Sequence, residues 1–161
     1  MKPKIIKNFL EPDVFKKLKE NIFSSYFPWF YQQNVAYEGR TEKETFGFTH
    51  MFFQNQRPSQ MYTILDPILA KLDMKALIRA KANFYPNQGK QKIHPIHTDF
   101  PYPHKGFLLS LNSTNGYTSF PDGTKIIGKE NQAMFWDASK PHQSSTPTDA
   151  KCRINIVINY F

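Results

Sequence analysis

The C-terminal stretch "CRINIVINYF", residues 152–161, alternates between two kinds of side chain. Alternation with a period of two is typical of a β-strand, because successive side chains of a strand point to opposite faces. One face is nearly all apolar and holds Cys152, Ile154, Ile156, Ile158 and Tyr160. The opposite face holds Arg153, Asn155, Val157 and Asn159. The stretch therefore predicts a long strand whose apolar face packs under other elements of the fold.

Arg153 makes the polar face of this strand informative. A buried guanidinium is costly unless an anion pairs with it, so Arg153 inside a closed sheet predicts an anionic ligand. On an edge strand the same face would meet water, and Arg153 would need no ligand. The strand alone does not decide between these two interpretations.

Apart from short strand patterns in residues 3–9 and in "FTHMFF", helical patterns come before strand patterns in this chain. Glu11-Pro12-Asp13 predicts a helix start, and residues 59–72 have a helical apolar spacing that Pro67 must kink or restart. Short strand patterns separated by turn residues then follow. They are "ALIRAKANFYP", "GFLLSLN", "GYTSFPDGTKIIG", "NQAMFWD" and the C-terminal stretch.

This order predicts a mainly β fold with N-terminal helices. Residues 1–161 are expected to form a single domain, with no internal repeat or low-complexity tract. A mostly helical segment, residues 1–76, is expected to support a closed antiparallel sandwich or barrel formed by residues 77–161.

A candidate metal site begins with His97-Thr98-Asp99. Alternate residues on a strand face the same way, so His97 and Asp99 can reach one ion. His142, which follows the strand ending in Trp136-Asp137, is available as a third ligand. Two histidines and one carboxylate form the facial triad of non-haem Fe(II) oxygenases and leave coordination positions open for a co-substrate. Arg153 follows His142 by 11 residues and could hold a co-substrate carboxylate in a bidentate fork.

Composition excludes several other classes of protein. The single cysteine, Cys152, rules out an internal disulfide and a cysteine-rich zinc site. No apolar run is long enough to span a bilayer, so a cytoplasmic protein without a membrane partner is expected. The formal net charge of +8 suits nucleic acid or acidic proteins as partners. The lysines crowded into the first twenty residues are also consistent with a solvated helix face.

The set "HTD … H … R" on short C-terminal strands resembles the Fe(II)/2-oxoglutarate-dependent oxygenase superfamily, in particular its small prolyl-4-hydroxylase-like branch. The resemblance covers about residues 77–161 and includes "HTDF", "LLSLNSTNGYTSFPDG", "KENQAMFWDASKPHQSS" and "CRINIVINYF" in that order. It implies a double-stranded β-helix, which is a cupin-like jelly roll. It also implies an enzyme, a dioxygenase that hydroxylates a C–H bond.

The resemblance also implies roles for individual residues. His97, Asp99 and His142 would bind Fe(II), with no catalytic side chain beyond them, and Arg153 would bind the distal carboxylate of 2-oxoglutarate. Ascorbate is expected as a supporting reductant. Three further residues resemble positions that contact the co-substrate in some relatives: Asn83, Tyr85 and Asn155.

Three functions remain open at this point. The branch favours a prolyl or other amino-acid group as substrate, in a peptide, a protein or a small molecule, bound by a monomer or homodimer. A nucleic-acid demethylase would suit the positive charge, but those relatives carry a second arginine where this chain has Asn159. A metal-binding jelly roll without oxygenase activity would not need Arg153.

Substrate contacts are expected outside the metal set. The polar segment "YEGRTEKETFGF", residues 37–48, is predicted to be a loop at the mouth of the pocket that helps to choose the substrate. Tyr102, His104 and Trp136 are candidate pocket residues. His94 is expected to face solvent or to lie behind the metal ligands, and His50 is expected to be structural.

Overall fold

The computed structural model describes residues 2–35 and 45–161. Two α-helices, α1 (Pro12–Phe23) and α2 (Asp66–Leu69), and one 3-10 helix (Tyr62–Leu65) lie in the first half of the chain. The strands are β1 (Lys4–Ile6), β2 (Phe30–Gln32), β3 (Gly47–Gln54), β4 (Arg57–Pro58), β5 (Leu77–Pro86), β6 (Lys105–Ser110), β7 (Tyr117–Ser119), β8 (Lys125–Ile127), β9 (Gln132–Asp137), β10 (Gln143–Ser144) and β11 (Cys152–Tyr160).

The strands form two antiparallel sheets. The larger sheet has eight strands in the order β1-β9-β6-β11-β5-β3-β2, with β4 paired to β3. The smaller sheet has the order β10-β7-β8. The predicted hairpin in "GYTSFPDGTKIIG" is confirmed: β7 pairs with β8 across a turn in which Gly123 adopts a φ of 84°. That left-handed conformation favours glycine because a side chain would be strained there.

The C-terminal strand β11 lies in the centre of the larger sheet. It pairs with β5 over most of its length and with β6 on its other side. The edge-strand interpretation is therefore wrong. Both faces of β11 are covered, and Arg153 is only 2% exposed. The strand's apolar face lies in the main hydrophobic core, in one cluster with Leu18 and Ile22 of α1.

The first 76 residues are not mostly helical, contrary to expectation. Their described part contributes four strands, two of which, β1 and β3, were predicted by the patterns of residues 3–9 and "FTHMFF", and β3 pairs directly with β5. The apolar pattern of residues 59–72 gives a 3-10 helix followed by α2 rather than one helix. Pro67 lies in the first turn of α2. Its ring prevents a helix from running through from the preceding turn, so the chain restarts there. None of the described helices is long and apolar enough to cross a membrane.

Candidate metal centre

His97 and His142 are brought together by the backbone. His97 N–H donates to the His142 carbonyl at 2.9 Å, and His142 N–H donates to the His97 carbonyl at 2.8 Å. This antiparallel bridge lies outside the eleven strands. Side chains of directly opposed residues project from the same face, and the two ring centroids are 4.6 Å apart. Two residues that are 45 positions apart in sequence thus form a pair of imidazoles.

Asp99 completes a group of three potential metal ligands. Its backbone N–H donates to the Ala138 carbonyl at 3.1 Å, at the end of β9. Its Oδ2 lies 3.8 Å from His142 Nε2. The ligand atoms of His97, Asp99 and His142 all lie within 4.8 Å of one another. Their number and spacing suit one divalent ion.

The hydrogen bonds of the two imidazoles favour metal binding. His97 Nδ1 is 3.1 Å from the Pro95 carbonyl, and His142 Nδ1 is 3.0 Å from the Lys140 carbonyl. A carbonyl accepts only, so each Nδ1 carries the proton, and Nε2 is the ring nitrogen with the chemistry to coordinate an ion. Burial, and then the nearby His142, lower the pKa of His97 to about 4. His97 is therefore a neutral imidazole at physiological pH, as a potential metal ligand requires.

The Asp99 carboxylate is held by two side chains that the sequence did not suggest as partners. Arg79 Nη2 donates to Oδ1 at 2.5 Å, and Asn159 Nδ2 donates to Oδ2 at 2.9 Å. Burial alone would raise the pKa of Asp99. The charges of Arg79, Lys81 and His142, with the Asn159 hydrogen bond, lower it to about 2. Asp99 is therefore negatively charged at physiological pH.

Arg153 is buried and anchored on its Nη side. Nη1 donates to the carbonyls of Tyr117 at 2.8 Å and Ser145 at 3.2 Å, and Nη2 donates to Thr118 Oγ1 at 3.0 Å. Nε is buried and has no hydrogen-bond partner among the described residues. Burial lowers the pKa of Arg153 to about 10, so the guanidinium remains charged. A buried cation with an unused donor fits an anionic ligand.

One inner cavity connects the two features. It is lined by all three potential metal ligands and by Arg153. The remaining lining residues are Lys81, Asn83, Tyr85, Leu108, Thr118, Trp136, Ser144, Asn155 and Val157. A second, outer cavity of about 430 Å³ shares Lys81, Asn83, Tyr85, His97 and Ser144 with the inner one.

The predicted co-substrate residues lie together at this cavity. Asn83 Nδ2 donates to Asn155 Oδ1 at 3.0 Å across the β5–β11 pairing, and Tyr85 pairs in register with Arg153. Trp136, a candidate pocket residue, also lines the inner cavity. The other two candidates, Tyr102 and His104, are not among the described residues that line either cavity.

The remaining expectations have different outcomes. His50 is structural, as predicted, because its ring nitrogens contact the Pro28 carbonyl and the Ser59 hydroxyl. His94 does not face solvent: it is 1% exposed and contacts Ser144 Oγ at 2.7 Å, behind the cavity.

Most of the predicted substrate loop, residues 37–44, lies outside the described residues. Its end, Gly47 and Phe48, begins β3 and lines the outer cavity.

Arg79 and Lys81 were missed from the sequence although a signal was present. The run Arg79-Ala80-Lys81-Ala82-Asn83 alternates like β11, with polar side chains on one face and alanines on the other. The alanines are fully buried in the core, so the cations must face the cavity. The alternation that placed Arg153 on the polar face of β11 therefore also applies to β5.

Several solved structures are similar to this chain along nearly its whole length. A prolyl hydroxylase from Trichoplax adhaerens, in complex with a hypoxia inducible factor oxygen degradation domain peptide, gives a TM-score of 0.67 at 15% identity, covering 99% of this chain and 83% of that one. A Pseudomonas putida prolyl-4-hydroxylase gives 0.62 at 12% identity, covering 98% and 91%. A 2OG-Fe(II) oxygenase family oxidoreductase from Burkholderia pseudomallei gives 0.65 at 9% identity, covering 98% and 83%.

No family model and no curated protein matches the sequence. The three solved structures are too distant in sequence to show more than a common fold. The chain therefore has the fold of prolyl hydroxylases and 2OG-Fe(II) oxygenases, which agrees with the expected resemblance.

Proposed function

We propose that this protein is an Fe(II)- and 2-oxoglutarate-dependent dioxygenase built on a double-stranded β-helix. The observation that carries the proposal is the inner cavity, where His97, Asp99 and His142 share one space with the buried Arg153. A metal site alone would not account for a buried guanidinium with an unused Nε. A co-substrate with a carboxylate at one end and metal-binding oxygens at the other accounts for both features.

The donor set fits Fe(II). Two neutral imidazoles and one carboxylate give the ion a mixed nitrogen and oxygen environment and leave positions open. The Nδ1 hydrogen bonds to Pro95 and Lys140 and the Arg79 and Asn159 contacts to Asp99 hold these ligands in orientation. Fe(II) would be held by His97, Asp99 and His142.

The residues around Arg153 fit 2-oxoglutarate. Arg153 would bind the distal carboxylate, while Asn83, Tyr85 and Asn155 would line the co-substrate site. When bound, Fe(II) and 2-oxoglutarate supply the oxidative chemistry, in which O2 is consumed, 2-oxoglutarate gives succinate and CO2, and a substrate C–H bond is hydroxylated. The protein's own contribution is to bind and orient the reactants. Leu108, Val157 and Trp136 give the cavity an apolar wall that limits water.

The substrate we propose is a prolyl residue or another amino-acid or peptide group. The similar Trichoplax adhaerens structure holds a peptide fragment, and the outer cavity gives a substrate access to the metal ligand His97. A nucleic-acid demethylase is less favoured because Asn159 stands where those enzymes carry arginine. The Asn159 amide is also committed to Asp99 and Arg79.

Succinate release tests the proposal directly. Purified protein given Fe(II), 2-oxoglutarate, O2 and ascorbate should produce succinate, and a prolyl peptide should increase the yield more than a methylated oligonucleotide does. His97→Ala should abolish succinate release and bound metal while the circular dichroism spectrum stays native. Full turnover by His97→Ala would place the site elsewhere. Absence of succinate from the metal-loaded wild type would instead favour a metal-binding protein without oxygenase activity.

A further inference from the structure

Lys81 is a cation that the proposed reaction leaves unused. It lies on β5 between Arg79 and Asn83 and lines both the inner and the outer cavity. Its register partners on the two neighbouring strands are Met51 and Val157, which are uncharged. No hydrogen bond or ion pair to Lys81 Nζ is found within residues 2–35 and 45–161. An amine in this position is available to a ligand.

The charges around Lys81 favour an anion. Arg79 is already paired with Asp99, and Arg153 would be paired with the distal carboxylate of the co-substrate. Arg79 and Asp99 balance each other, as do a divalent ion and doubly charged 2-oxoglutarate, so Arg153 and Lys81 together leave two positive charges without a counterion. Burial lowers the pKa of Lys81 to about 8, so the amine is still mostly protonated at neutral pH. A partly buried cation is stabilised by an anionic partner.

The outer cavity has the polarity that a small amino-acid group requires. Gln32, Gln33 and Asn34 lie on the wall that leads in from β2. The Asn34 Oδ1 atom is buried and has no hydrogen-bond partner among the described residues. An unused acceptor on this wall and an unused cation deeper in the cavity would suit a ligand with both an N–H group and a carboxylate.

We propose that Lys81 binds a carboxylate of the substrate, so that this enzyme acts on amino-acid or peptide groups that carry a free carboxylate. The inference rests on the proposed oxygenase function and adds the substrate's charge to it. The carboxylate has two chemical sources, the α-carboxylate of a free amino acid or the side chain of an aspartyl or glutamyl residue next to the reacting group. In both cases Lys81 is a specificity-determining residue.

Matched probes that differ only in charge test this inference. Protein loaded with Mn²⁺ and 2-oxoglutarate under nitrogen is titrated with two pairs of probes. L-proline and L-prolinamide test the α-carboxylate of a free amino acid. N-acetyl-aspartyl-prolinamide and N-acetyl-asparaginyl-prolinamide test an acidic side chain next to the reacting group. Binding is measured by the paramagnetic relaxation of the probe's NMR signals. In the wild type, the carboxylate member of at least one pair should bind about tenfold or more tightly than its amide, as a charge-assisted hydrogen bond provides. The pair that shows the preference identifies the source.

Lys81 variants connect the preference to this side chain. Lys81→Met should abolish the preference, and Lys81→Arg should keep most of it. Lys151→Met, at an exposed lysine outside both cavities, should match the wild type. Circular dichroism confirms that each variant is folded.

Two results would overturn the inference. One is a wild type with no carboxylate preference in either pair. The other is a Lys81→Met variant that keeps the preference or that instead loses 2-oxoglutarate affinity, which would assign Lys81 to the co-substrate. A different result would count against the proposed function itself, namely that 2-oxoglutarate does not bind the Mn²⁺-loaded wild type.

Discussion

Arg79 and Asp99 form a hydrogen-bonded ion pair of 2.5 Å between β5 and the segment that carries two of the three potential metal ligands. The side chains are mostly buried, with 15% and 5% exposed. The Arg79 guanidinium also lies over the Phe100 ring, with its Cζ 4.8 Å from the centroid. Asn159 accepts from Arg79 and donates to Asp99, which closes a three-residue network. The network fixes which carboxylate oxygen faces the histidines.

Arg79→Met should weaken metal binding without removing a ligand. Loss of a hydrogen-bond partner that orients a ligand typically costs roughly 10- to 100-fold in metal affinity, and we expect a loss in that range for Mn²⁺. Competition with a fluorescent chelator measures the affinity. Arg57→Met, at an exposed arginine on β4, is the matched control and should bind as the wild type does. Tighter binding by Arg79→Met would mean that the arginine acts mainly by repelling the ion.

Arg153→Lys should separate co-substrate binding from metal binding. Lysine keeps the charge but lacks the planar fork that can hold a carboxylate. The hydrogen bonds from the guanidinium to β7 are also lost. Loss of one charge-assisted hydrogen bond costs roughly 1.5–3 kcal/mol, so half-saturation with 2-oxoglutarate should rise by about ten- to a hundredfold. A titration of succinate release measures it, with Mn²⁺ affinity followed in parallel. An unchanged half-saturation concentration would make Arg153 a purely structural residue.

Gly116→Ala should impair the same site indirectly. A Cβ at Gly116 would lie 2.8 Å from Arg153 Cδ, so the arginine stem must move. We expect weaker 2-oxoglutarate binding by about tenfold or more, since a charge-assisted hydrogen bond of this kind depends on geometry. Gly128→Ala is the matched control, because its Cβ would meet Ser110 Oγ at 3.3 Å and Arg153 Nε only at 3.8 Å. Isothermal titration of both variants with 2-oxoglutarate gives the comparison, and equal affinities would contradict the steric argument.

His94 should make the metal-free protein sensitive to mild acid. Burial, followed by the charges of Arg153 and His97, lowers the pKa of His94 to about 3 in the folded state, against 6.5 for the ordinary side chain. The unfolded chain therefore takes up this proton first. The contribution of neutral His94 to the free energy of unfolding is fully present above pH 6.5 and is lost as the pH falls toward 3.

His94→Gln removes this titration. Between pH 6.5 and pH 5 the wild type should lose about 2 kcal/mol more of its free energy of unfolding than the variant does. Urea unfolding in EDTA at a series of pH values measures the difference. Parallel pH profiles for the two proteins would show that His94 does not titrate in this range.

Periodicity within single elements was readable from the sequence. The alternation in β11 predicted a long strand with one apolar face, and the turn residues around Gly123 predicted a hairpin. Each signal depends only on neighbours in the chain, since side-chain direction repeats every two residues in a strand. Local pattern also predicted strands in residues 3–9 and in "FTHMFF", but it could not show that β3 joins the larger sheet by pairing with β5.

The candidate metal set and most of the co-substrate residues could be named from the sequence, but the cations of β5 beside them could not. His97, Asp99 and His142 were identified by residue type, spacing and resemblance, and the structure brings them within 4.8 Å of one another. Arg79 and Lys81 entered the site only when β5 was placed beside β11. Residue type alone leaves a lysine or arginine on a strand equally free to face water or a cavity.

The sequence by itself determined which side chains share a face of each strand and which of them could bind an ion or a carboxylate. Tertiary structure decided that β11 is central, that Arg153 is buried with Nε unused, and that Arg79 and Asn159 hold Asp99. These outcomes depend on strand pairing between residues far apart in the chain. A one-residue change of register would turn each polar face away from the cavity, so only the assembled sheets specify the site.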